Sequence, residues 1–172
     1  MNGQERIPVS PGMKLTSLLL VIGGVWGIGI ACWIDIGLVN SGRIFSQSMA
    51  IAGAFIVLSG WAAWTGRDMW LGYRRALPMA QILFALQIPL LRIPGFFYEF
   101  HTGVMWSILI MSGPRFTLGS NLGSSFNFYI SPETEYIAIG INLFAVFMLI
   151  YLMRLSREFS ADSQPGPPMH MA

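Results

Sequence analysis

Apolar residues dominate four stretches of the chain, residues 15–34, 48–65, 77–91 and 136–152, and the segment between the last two, residues 92–135, follows another rhythm. The first run is about 20 residues long, about 30 Å as a helix, which matches a hydrocarbon core. Taken together, the four runs predict a membrane all-α bundle of four transmembrane helices. Within residues 92–135 the side chains alternate: Phe126, Phe128 and Ile130 are interleaved with Ser125, Asn127 and Tyr129, and Phe116 and Leu118 repeat the pattern. A period of two is the mark of a half-buried strand. Gly113-Pro114 and Gly119-Ser120-Asn121 are turn chemistry at hairpin positions. The segment predicts a small antiparallel β meander inserted between helices 3 and 4. Residues 104–111 are apolar on both faces and read either as a covered central strand or as a short helix dipping into the bilayer; they are too few to span it.

The remaining residues set the boundaries. Residues 1–14 form a polar tail with Pro8, Pro11 and Gly12, residues 15–155 the membrane domain, and residues 156–172 a Ser-, Pro- and Gly-containing tail expected to be disordered. Arg6, Lys14, the first apolar run and Ala31-Cys32 resemble a lipoprotein signal. Gly29 stands three before the cysteine, where such signals favour Leu, and Trp33-Ile34 continue the run, so the stretch reads as an uncleaved helix.

Small residues mark candidate helix seams. Gly23, Gly27 and Ala31 recur every fourth position in the first run, and Gly53 and Gly60 lie on a small-residue surface of the second. Such spacing lets helix backbones approach where lipid removes the hydrophobic drive for association. Trp26, Trp33, Trp61, Trp64 and Trp70 read as headgroup-level anchors. Asn142, the strongly polar residue of the last run, is expected to hydrogen-bond a neighbouring helix. Gln81 and Gln87, six positions apart and hence about 240° around a helix, cannot line one polar path.

Composition narrows the chemistry. The chain is 54% hydrophobic and 10% charged over 172 residues, far from the soluble balance of roughly a quarter charged. A net charge of +2, with basic residues scattered, argues against a nucleic-acid partner. The single cysteine excludes an internal disulfide and any multi-cysteine metal site. Glu99 and His101 are the one acid–histidine pair close in sequence, and on a strand they share a face. Two ligands are too few for zinc. The four runs hold no ionisable residue beyond Asp35 at an end, which disfavours ion pumping. No catalytic, cofactor-binding or metal residue is expected.

Lys and Arg counts set the orientation. With cytoplasmic termini, Arg6, Lys14, Arg67, Arg74, Arg75, Arg154 and Arg157 lie inside and Arg43, Arg92 and Arg115 outside, seven against three. The expected location is a bacterial inner (cytoplasmic) membrane. The preferred functional reading is a non-enzymatic structural or accessory subunit, partnered by membrane lipid and by its own copies or another membrane protein. The alternative is an oligomeric transporter, channel or lipid-handling protein with a cavity lined by Gln81, Gln87 or Asn142. An enzyme using Glu99 and His101 ranks last.

Overall fold

The computed structural model describes residues 6–40, 47–113, 115–130 and 137–162. Along them run α1 (Pro11–Asn40), α2 (Gln47–Trp70), α3 (Ala76–Leu86), β1 (Pro89–Ile93), β2 (Phe96–Met111), β3 (Arg115–Ile130), β4 (Ala138–Asn142) and α4 (Leu143–Asp162). This mixed α/β arrangement overturns the four-helix membrane bundle. Among the described residues only α1, over Pro11–Gly37, and α2, over Met49–Trp70, are long and apolar enough to cross a membrane.

The expected third and fourth spans fail for local reasons. Residues 77–91 carry Pro89, which disfavours helix at Ile88 and removes a donor. The helix therefore stops at Leu86, 11 residues from its start, and the chain continues as β1. Pro94-Gly95 then closes a two-residue hairpin, with Gly95 at φ +85 and Ile93 opposite Phe96. Pro followed by a positive-φ Gly is the type II turn signature. In the expected span 136–152, Ala138, Gly140 and Asn142 are buried and alternate with exposed Ile139 and Ile141, so this part is β4. α4 begins only at Leu143, and its second half carries Arg154, Arg157 and Glu158.

α1 starts with Ser10 as its cap, accepting from Met13 N at 3.3 Å, and Pro11 in the first turn, where a missing N–H costs nothing. It packs antiparallel on α2 through residues without bulk. A methyl on Gly24 would lie 2.5 Å from Ser59 O, and one on Gly66 would lie 2.7 Å from Ser17 O. Ser17 Oγ donates to Gly66 O at 2.6 Å across the same seam. α3 and α4 pack against the basic end of this hairpin, with Gln81 Nε2 donating to Leu152 O at 3.2 Å and Leu77, Leu83, Phe84, Ala145 and Leu152 in the core.

The sheet order is β1-β4-β2-β3, all antiparallel, with an additional β1–β2 pairing, so the expected simple meander is corrected to a partly closed sheet. It runs from Pro89 to Asn142, wider than the expected insert at 92–135. Residues 104–111 are strand, the second half of β2. Gly119-Ser120-Asn121 is no turn; it lies inside β3, opposite Trp106 and its neighbours. β2 pairs with β1 through its first half and with β4 through its last, while β1 and β4 also pair with each other. The three strands thereby close around a small lumen of about 50 Å³. β3 pairs with β2 alone, so among the described residues its 16-residue outer edge has no strand partner.

The expected tails are also revised. Ile7 N donates to Gly72 O at 2.9 Å, and helix α1 starts before residue 14. α4 continues through Asp162; residues 163–172, with His170, lie outside the described residues, as do residues 41–46 with Arg43.

Candidate functional site

The polar chemistry converges on a waist where the helices meet the bend of the sheet. Gly103 (φ +88) and Gly123 (φ +139) sit opposite each other in the β2–β3 register, and both occupy backbone conformations that side chains resist. The double hairpin bends there, and α1 crosses it. A methyl on Gly23 would lie 2.7 Å from Gly103 N and 2.9 Å from Thr102 C. Ser124 Oγ donates to Gly23 O at 2.6 Å, tying sheet to helix. From the other side, Gln87 Oε1 accepts from Thr102 N and Gln87 Nε2 donates to Thr102 Oγ1, each at 3.1 Å, with both residues buried. Asn142 ends β4 and caps α4: its Oδ1 accepts from Ala145 N at 3.4 Å and from Trp106 N at 3.2 Å.

Some expected seam residues therefore pack, and some do not. Gly23 meets the sheet, Gly27 meets the Ser59 hydroxyl and Phe55, and Ala31 is buried with Phe55 and Phe100. Gly53 and Gly60 face open space, with nothing among the described residues within 4 Å of an added methyl. Gly60 instead lines an outward apolar groove of about 700 Å³ with Trp64 and Leu18. Asn142 is a cap and not a mid-helix residue. Sequence reasoning missed Gly24 and Gly66 in the helix seam and the pair Gly103 and Gly123. Isolated glycines within alternating strand sequence are the available signal for a bend or close backbone approach. Gln81, Gln87 and Asn142 each serve a separate junction, so they do not converge on one cavity.

Glu99 and His101 do come together. His101 is fully buried; Asn121 Nδ2 lies 3.3 Å from its Nε2, and Glu99 Oε1 lies 3.7 Å from its Nδ1, which has no hydrogen-bond partner. Arg92 stacks over Phe97 at 4.4 Å on the same lumen face. A lumen of about 50 Å³ admits water and little else. Among the described residues no three His, Cys, Asp or Glu gather as a metal site.

The outer face of the sheet is packed on one side of the bend and uncovered on the other. In the β2–β3 register the even positions share one face. In the first half of β2 that face, with Phe100 and Phe126, packs on Ala31 and Phe55. Beyond the bend it is uncovered: Trp106, Ile110, Phe116, Leu118 and Leu122 are exposed, the last three at 74%, 79% and 83%, and Ile139 and Ile141 of β4 extend the patch. Arg92, Glu99 and Ser107 point into the lumen. Leu90, Leu91, Phe97, Met105, Leu109 and Met111 line it beside them, so the lumen is largely apolar, with Arg92 and Glu99 as its charged groups. The chain matches no protein-family model, no curated protein and no solved structure.

Proposed function

We propose that this chain is a membrane-embedded, non-enzymatic structural subunit that offers a strand edge to a neighbouring membrane polypeptide. The α1–α2 hairpin crosses the bilayer, and the sheet lies beside it within the apolar layer. Three observations support this placement. Only a third of each apolar helical window is buried within the protein, which leaves apolar helix surface for lipid. Beyond the bend the sheet presents an uncovered apolar outer face, as a lipid-facing sheet does. From Lys14 to Gly23 is about 14 Å of helix, roughly half the hydrocarbon thickness, so the bend sits near mid-depth.

The basic residues Lys14, Arg67, Arg74, Arg75, Arg154 and Arg157 all lie at the end where α1 begins and α2 and α4 finish. That end faces the cytoplasm by the positive-inside rule, in a bacterial inner membrane on this reading.

The observation that carries the function is the open edge of β3. Residues Arg115 to Thr117 and Leu122 are exposed, and among the described residues no strand pairs with them on the outer side. In hydrocarbon each unsatisfied backbone group costs several kcal/mol, and open edges facing lipid do not persist. An extended segment of another polypeptide satisfies them. Purification from native membranes in mild detergent, followed by mass determination of the intact particle, is expected to give a stoichiometric protein assembly. Leu118→Pro, which puts a ring on that edge, should reduce it to single chains. A wild-type particle containing one chain and lipid alone would remove the reading.

A further inference from the structure

We propose that the open edge of β3 pairs with the same edge of a second copy of this chain, about a twofold axis through Gly119. The proposal rests on the reading above, in which another polypeptide covers that edge, and names the partner. The backbone shows which groups await it. Ser112 N donates to Ile137 O at 2.7 Å and Trp106 N to Asn142 Oδ1 at 3.2 Å, so the even-numbered residues beyond the bend of β2 direct their N–H groups toward β4. Direction alternates along an antiparallel strand, and the odd residues of that half therefore face β3. Their register partners are Arg115, Thr117, Gly119 and Asn121. The N–H and C=O groups of Phe116, Leu118, Ser120 and Leu122 are left on the outer edge, where among the described residues no strand meets them.

These four residues close on a copy of themselves. Turned about Gly119, an antiparallel second strand sets Phe116 against the partner's Leu122 and Leu118 against the partner's Ser120, and each of the four then gives one hydrogen bond and accepts one. Moving the axis by one residue either way loses this. Centred on Leu118, Leu122 would face the partner's Pro114, which has no N–H. Centred on Ser120, Phe116 would face the partner's Ser124, which is buried against α1 with its hydroxyl on Gly23 O. In the Gly119 register the exposed Phe116, Leu118 and Leu122 of both copies share one face of the joined sheet. Arg115, the one charged residue of β3, lies opposite the partner's Gly123, so like charges do not meet. Nothing guards this edge against its own kind: from 116 to 122 it has no Lys, no Pro and no bulge in its pairing with β2. Such an isologous contact closes as a dimer.

Oxidative crosslinking of single-cysteine chains in their native membrane tests it. In a Cys32→Ser background, Phe116→Cys and Leu122→Cys each change an exposed side chain and leave the core intact. In the proposed dimer the two positions lie opposite one another, about 5.5 Å apart at Cα, which suits a disulfide. Each position lies about 20 Å from its own counterpart, six residues along the strand. Either variant alone is therefore expected to give no disulfide dimer, and the two co-expressed with different tags to give a mixed dimer carrying both. Crosslinking of either variant with itself, or none in the mixture, overturns the self-pairing. An intact particle whose mass is this chain plus a foreign polypeptide also overturns the second copy while leaving the edge reading in place. A single chain with lipid alone removes both.

Discussion

Gly23→Ala is expected to lower the stability of the folded chain by about 3 kcal/mol, the upper end of what overpacking costs, although alanine is the better helix former. The added methyl would lie 2.7 Å from Gly103 N and 2.9 Å from Thr102 C. Both are backbone atoms at a bend held by paired positive-φ glycines, so neither can rotate out of the way. Relief requires α1 to move off the sheet, which breaks the Ser124 Oγ to Gly23 O bond of 2.6 Å. Gly29→Ala and Gly53→Ala are the matched controls, since nothing lies within 4 Å of either added methyl. They should be neutral or stabilising by several tenths of a kcal/mol to about 1 kcal/mol. Gly27→Ala ranks between, because what it meets first is the rotatable Ser59 hydroxyl. Unfolding of the detergent-solubilised protein, followed by circular dichroism, ranks the four. Equal stability of Gly23→Ala and Gly29→Ala would refute the close helix–sheet contact.

Gln87→Leu should cost a comparable amount, about 3 kcal/mol. It keeps the volume but leaves the Thr102 N–H and hydroxyl buried without partners, and each orphaned group costs about 1–3 kcal/mol. Thr102→Val in the Gln87→Leu background removes one of the two orphans. The double variant should therefore be more stable than the sum of the single losses implies, and the coupling measured in the cycle should exceed 0.5 kcal/mol. Additive losses would show that the two side chains do not act as a pair.

The parts of this fold that the sequence made legible are those in which one face differs from the other. The runs within α1 and α2 are long enough that no strand could absorb them, and the Ser/Phe alternation at 125–130 announced half of β3. The misassigned parts are those where both faces are apolar. Residues 88–93 and 137–141 consist largely of Ile, Leu, Pro and small residues, and in such runs periodicity cannot separate a strand from a lipid-facing helix. Their short length and Pro89 were the available arbiters. The outward apolar face of β4 also hid itself. Ile139 and Ile141 point outward while Ala138 and Asn142 point inward, so the usual assumption that apolar means core assigns the faces backwards.

At the waist, Gln87, Glu99, His101 and Asn142 were visible as unusual polar residues, but their partners lie 15 to 36 positions away for Thr102 and Trp106. No local pattern encodes such pairings. The Glu99–His101 contact was legible because a strand places positions two apart on one face.

The placement of the sheet in the apolar layer is tested most directly by the depth of its outer face in a bilayer. Cys32 is exposed and is the chain's one cysteine, so Cys32→Ser provides a background for single spin labels at Ile110, Ile139 and Arg157. Power-saturation electron paramagnetic resonance in reconstituted bilayers then compares collisions with dissolved oxygen, which concentrates in lipid, and with a water-soluble nickel chelate. The account predicts oxygen-dominated relaxation at positions 110 and 139 and nickel-dominated relaxation at position 157. Nickel access at positions 110 and 139 equal to that at 157 would place the sheet in water and contradict it.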